Sequence, residues 1–249
     1  MRANIDIGDN ARHHELMILA YILAYFALLI LLSVLTHHSF QTLYLFLYKI
    51  TRSDFIAKVG ITILFFPGTV VHEMSHFFAA MLMNLRVRSA NVLPVFEEDG
   101  IKLGTVVYER KDPFRGILVG IAPLFGGVAA SWGLVALLYL PLTNTPFIHV
   151  VIYYLLFTIT SMQFSSRQDL IDAIWLIPMI LGIAILIYIF GVDVLGLLYK
   201  LDQTGILTRF LKTIGTIAAV TAVAHVVIIG LGKLIDRIKH HSHSHAHHA

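Results

Sequence analysis

The chain of 249 residues has no cysteine, and Asp, Glu, Lys and Arg together make up only 13% of it. Without cysteine there are no disulfides and no thiolate ligands, so a bound transition metal would rest on His, Asp or Glu. With so few charges against 57% apolar residues, the chain cannot clothe a soluble domain of this length in polar surface. Charge of one sign is also missing in bulk. A formal net charge of +3 leaves no footprint for a polyanion, and no nucleic-acid partner is expected. The polar start MRANIDIGDNARHH does not read as a secretory signal peptide.

Long apolar runs fill the chain instead, and mean hydropathy reaches +0.80. The expectation is an all-α polytopic protein with the lipid bilayer as its solvent, a single membrane-embedded domain over 1–249. Six transmembrane helices are read at roughly 16–35, 55–83, 116–140, 147–164, 170–190 and 213–233. Residues 39–50 look too short and mixed to cross, and fit an interfacial or re-entrant piece. Pro67-Gly68 should kink or restart the second span one turn before its chemistry. On this count, 12 of the 18 Lys and Arg residues fall on the N-terminal side of the membrane and 6 on the other. Both termini are therefore expected in the cytoplasm of a prokaryotic cell.

The sizeable polar stretch, 85–112, lies between the second and third spans. Two β-like pieces, Val92–Phe96 and Lys102–Tyr108, flank an acidic turn ending in Asp99-Gly100. A small cytoplasmic β-hairpin is expected there, with an edge to which an extended peptide could pair. Glu97, Glu98 and Asp99 read as a solvated turn.

His72-Glu73-Met74-Ser75-His76 is an HExxH motif inside a run long enough to cross a membrane. Imidazoles four residues apart project from one helix face and can share a tetrahedral Zn²⁺. Glu73, rotated by about 100° from His72, can reach a metal-associated water as general base without being a ligand. A hydrocarbon-buried His/Glu/His triple is expensive unless something uses it. The blander reading makes the histidines bridges between helices and pairs Glu73 with an Arg. Three ionisable groups in five residues at metalloprotease spacing favour a catalytic zinc site.

Such a site takes about three protein ligands and keeps one position open. Asp169, Asp172, Asp193 and His225 lie in or beside apolar runs and are the candidates for the third. A zinc transporter would instead place acidic or His groups on several spans at successive depths, whereas here they form one cluster.

HExxH on a hydrophobic helix, the Gly/Pro-containing Ile121–Ala130 and an Asp 93 residues after His76 together resemble the site-2 protease family. These are intramembrane zinc metalloproteases, and the chain is similar to a divergent bacterial or archaeal branch over about 55–190. The resemblance implies His72, His76 and Asp169 as zinc ligands and Glu73 as the catalytic base. It implies a membrane-protein segment, locally unwound, as substrate, with Gln163 as a donor to the carbonyl oxygen. The family's Asp is usually followed by Gly, whereas Asp169 precedes Leu170-Ile171, so Asp172 stays beside it as a candidate ligand or orienting group. His225 reads as a hydrogen-bonding residue between helices. Asp193 marks the end of the fifth span, and the His-rich tail 238–249 carries no catalytic role.

Overall fold

The protein's structure is a computed structural model that describes residues 2–97, 100–109, 111–141, 145–163, 167–193, 196–197, 200 and 202–246. It is mostly helical. The helices are α1 (Arg2–Thr51), α2 (Asp54–Leu82), α3 (Pro113–Gly120), α4 (Ala122–Leu137), α5 (Pro146–Ser161), α6 (Arg167–Ile189) and α7 (Ile206–Ala246). Four strands lie between α2 and α3 in the chain: β1 (Val87–Asn91), β2 (Val95–Glu97), β3 (Gly100–Lys102) and β4 (Thr105–Tyr108). They form two short antiparallel ladders, β1 with β4 and β2 with β3. The first strand thus begins before the expected Val92, and both ladders break at 92–94 and at Leu103-Gly104.

Among the described residues, four stretches are long and apolar enough to cross a membrane: Leu16–Thr51, Asp54–Leu82, Pro113–Leu137 and Ile206–Ile235. Six were expected. The fourth and fifth expected spans are represented by the shorter apolar helices Pro146–Ser161 and Pro178–Ile189. Residues 39–50 do not form a separate interfacial piece, because α1 continues through them. Its Phe40, Leu43, Tyr44 and Leu47 recur at helical spacing and pack on the Ile61, Phe65 and Met162 cluster, so tertiary burial carries the helix past a mixed stretch.

Nor does α2 restart at Pro67, which lies inside the helix. Proline there cannot donate to the Ile63 carbonyl. The Tyr154 hydroxyl of α5 reaches that region instead, donating to Leu64 O at 2.8 Å and lying 3.4 Å from Ile63 O. A neighbouring helix thereby compensates the backbone group that proline frees.

α1 and α2 run antiparallel, with the Phe40 and Phe65 ring centroids 4.4 Å apart and Leu47 against Gly60. α5 runs parallel to α2, its Tyr154 beside Leu64 and its Thr158 beside Gly68. The largest buried cluster joins Ile18, Tyr25, Leu29 and Leu32 of α1 to Leu211, Ile214, Ala218 and Ala222 of α7. Lys212 sits over Tyr21, His225 meets Thr36 and Ser39, and Gly232 meets Thr42, so α1 and α7 are parallel.

Candidate metal centre

His72 and His76 stand one helical turn apart on the face of α2 that meets α3 and α6. Asp169 comes from the first turn of α6, where a carboxylate also complements the helix dipole. The three side chains converge: His72 Nε2 lies 3.2 Å from His76 Nε2 and 3.3 Å from Asp169 Oδ2, and His76 Nε2 lies 3.4 Å from Asp169 Oδ1. His72 and Asp169 are each 4% exposed, so the group is shielded from bulk solvent. Among the described residues it is the one cluster of His, Asp or Glu with metal-ligand geometry.

The position of His76 follows from a proline. In an unbroken helix the Val119 carbonyl would accept from residue 123, but Pro123 has no N–H, and α3 gives way to α4 at Ile121. Val119 O instead receives His76 Nδ1–H at 2.8 Å. That bond fixes the tautomer: in a neutral His76 the Nε2 carries a lone pair, aimed at a carboxylate oxygen and a second imidazole nitrogen. His72 can face them either with a proton on its Nε2 or with a second lone pair, and in the latter tautomer the three acceptors call for a cation between them. Charge-assisted N–H···O bonds are about 2.7–2.9 Å long, shorter than the separations here. Ligand atoms about 2.0–2.1 Å from a tetrahedral ion stand about 3.3–3.4 Å from one another. The residues fit a small divalent metal.

Glu73, 8% exposed, follows the first histidine and lies under the bend between the ladders. A Cβ at Gly104 would fall 2.5 Å from its Cγ and 3.1 Å from its Oε1, so only glycine allows this approach. Gln163, immediately beyond α5, is buried, and its Oε1 accepts from Tyr25 Oη at 3.1 Å. The amide nitrogen is left as the donor end. Gly126 and Gly127 let α4 close on Ser75 and Gln163, with no room for a Cβ at either position.

His72, His76 and Asp169 are therefore brought together as the sequence suggested. His225 is not among them: its Nδ1 meets Ser39 Oγ at 2.9 Å, and its Nε2 meets Ser161 Oγ at 2.9 Å and Thr36 Oγ1 at 3.1 Å. It links α1, α5 and α7, the bland role expected of it. Asp193 accepts from Gly196 N just past the end of α6 and joins no cluster with the motif. The side chain of Asp172 lies outside the described residues, as do Glu98, Asp99 and the side chains of the His-rich tail. Val119, Gly104 and Tyr25 were not legible as site residues, although Pro123 was a usable signal for the first.

Comparison with protein-family models, with curated proteins and with solved structures gave no match to this chain.

Proposed function

We propose that the chain is a membrane-embedded metallohydrolase, with His72, His76 and Asp169 as metal ligands and Glu73 as the general base. More narrowly, we infer a zinc-dependent intramembrane endopeptidase of the site-2 protease kind, multi-pass in a prokaryotic cell membrane. The convergence of a motif's two imidazoles with a carboxylate from a distant helix, Glu73 adjoining, carries this reading.

Zinc in this setting supplies Lewis acidity, acidifying a water and polarising a peptide carbonyl. The remaining work belongs to side chains. Glu73 takes a proton from the attacking water and returns it to the leaving amine. Val119 O holds the His76 ring in register through Nδ1. Gln163, anchored by Tyr25, offers its amide N–H to the oxygen that gains charge. The helices around the site exclude bulk water, which strengthens each of these interactions. The substrate is a transmembrane or membrane-proximal segment that unwinds locally, since an intact helix engages its own carbonyls.

The test is zinc content per chain for the wild type, Asp169→Ala, Asp172→Ala and Glu73→Gln, with cleavage of a test transmembrane segment measured alongside. The expected pattern is one zinc that is lost with Asp169→Ala and retained in an inactive Glu73→Gln. Zinc bound equally by all four proteins, with no cleavage by any, would replace the protease reading with a transporter or a non-cutting scaffold.

A further inference from the structure

The bend between the two ladders is aimed at the base. On one strand the ladder stops at Asn91 and resumes at Val95; on the other it stops at Lys102 and resumes at Thr105. A break on both strands at one place leaves the tip ladder joined to the base ladder by backbone that no cross-strand pair stiffens. Leu103 and Gly104 form the second of these breaks. Leu103 packs on the apolar cluster of Ile61 and Phe65 from α2 and Met162 from the end of α5. Gly104 lies directly against Glu73, its missing Cβ 2.5 Å from Cγ and 3.0 Å from Cδ of the carboxylate. The segment thus rests on the apolar cluster of Ile61, Phe65 and Met162 with its backbone on the group that has to meet water and a peptide.

We propose that Leu103-Gly104 is a movable cover over Glu73, latched by Leu103, and that its withdrawal opens the path by which an extended peptide segment reaches the site. The proposal rests on the reading of Glu73 as the base, and it explains features that reading leaves aside. Glycine at 104 permits the backbone to lie on a carboxylate. Leucine at 103 provides a latch of apolar contact, which has no directional bond to break when the segment lifts. The paired breaks supply the hinge.

The absence of cysteine makes the test clean. In the full chain, Glu73→Cys supplies a single thiol under the cover, and its labelling rate by a small maleimide is read with and without Leu103→Ser. Loss of the latch should speed labelling at least about tenfold, the scale set by a leucine giving up partial burial. A Gly133→Cys control on α4, where nothing lies within 4 Å of a Cβ, should label at one rate in both backgrounds. Equal rates at position 73 with and without Leu103→Ser would overturn the cover.

A second arm uses Leu103→Cys with Met162→Cys in the chain that keeps Glu73. Oxidation should slow the release of bound zinc to excess chelator at least about tenfold, and reductant should restore it. Identical release from the oxidised and reduced proteins would also overturn the cover. The thiol assay needs no metal, so a chain that takes up no zinc would sink the protease reading while leaving the cover to be judged by labelling.

Discussion

Substituting Gly68 tests whether the close approach of α2 and α5 holds the metal ligands in place. Gly68 lies one turn before His72. A methyl there would stand 2.6 Å from the Thr158 carbonyl carbon, closer still to its oxygen, and 2.8 Å from Met162 Cγ. Ordinary contact starts at 3.4 Å. From 2.6 to 3.4 Å for the carbon alone, the α2 and α5 backbones must part by at least about 0.8 Å, and by more to clear the oxygen, because a packed interior has no slack to absorb it. α5 leads through Gln163 to Asp169, so the displacement reaches the side of the site opposite the histidines. Ligand distances tolerate only about 0.2 Å of error. Gly68→Ala should cost about 1–3 kcal/mol of fold stability through overpacking. It should weaken zinc by about tenfold or more, equivalent to about 1.4 kcal/mol. Chelator competition for zinc and thermal unfolding in one detergent measure both. Gly133→Ala is the control: its Cβ meets nothing, and alanine raises helix propensity by up to about 1 kcal/mol. If the two substitutions leave zinc affinity and unfolding alike, the argument from close approach is refuted.

Gln163→Met should keep zinc while lowering cleavage about 10²- to 10³-fold, the range for losing one donor to a developing oxyanion; a matching loss of zinc would assign Gln163 to structure instead. His225→Leu leaves the hydroxyls of Thr36, Ser39 and Ser161 without their ring partner and should cost roughly 1–3 kcal/mol on unfolding, with zinc stoichiometry unchanged. Dialysis against a chelator should abolish cleavage, and zinc should restore it where magnesium, which prefers six oxygen ligands, does not; activity that survives complete metal removal contradicts the mechanism. Single cysteines placed before Leu16 and after Ile235 should react with an impermeant label from opposite sides of sealed vesicles, as the parallel α1 and α7 require; labelling of both from one side would show that one of the helices does not cross.

Local signals gathered the candidate site residues and missed part of the course of the chain. HExxH placed two imidazoles and a carboxylate within one turn because helical spacing alone decides which side chains share a face. Asp169 emerged with Asp172 still beside it, since one helix turn separates two acids that composition cannot rank. The His76–Val119 bond was written in Pro123, yet reading it requires knowing that α3 comes back against α2. Gly104 gave no local sign at all: its role exists because a bend folds onto Glu73, which is a tertiary fact. The helix boundaries differ for a related reason. Hydropathy scored 39–50 as too mixed to continue α1, but Phe40, Leu43, Tyr44 and Leu47 are mixed only along the chain and apolar on the face that Phe65 covers. Pro67 read as a break because Tyr154, whose hydroxyl reaches the Ile63 and Leu64 carbonyls, is about ninety residues away.

The charges of the site explain why so costly a group can sit among apolar helices. Neutral imidazoles at His72 and His76 contribute nothing, while ionised Glu73 and Asp169 together carry two negative charges. Two buried anions and no cation would repel one another in a medium that screens them weakly. One divalent cation on the two imidazoles and the Asp169 carboxylate would bring the formal sum to zero, and the hydrogen bond from His76 to Val119 O leaves a lone pair on the side where it would sit. A proton shared between His76 and Asp169 would offset only one of the charges. The same balance assigns the two acids different tasks. Asp169 is tied to both imidazoles, the place for a ligand in the proposed site, whereas Glu73 lies against the Gly104 backbone, the place for the proposed base. In the proposed site, then, one acid would be held and the other would trade its proton, and a divalent ion would be what lets both stay ionised among apolar helices.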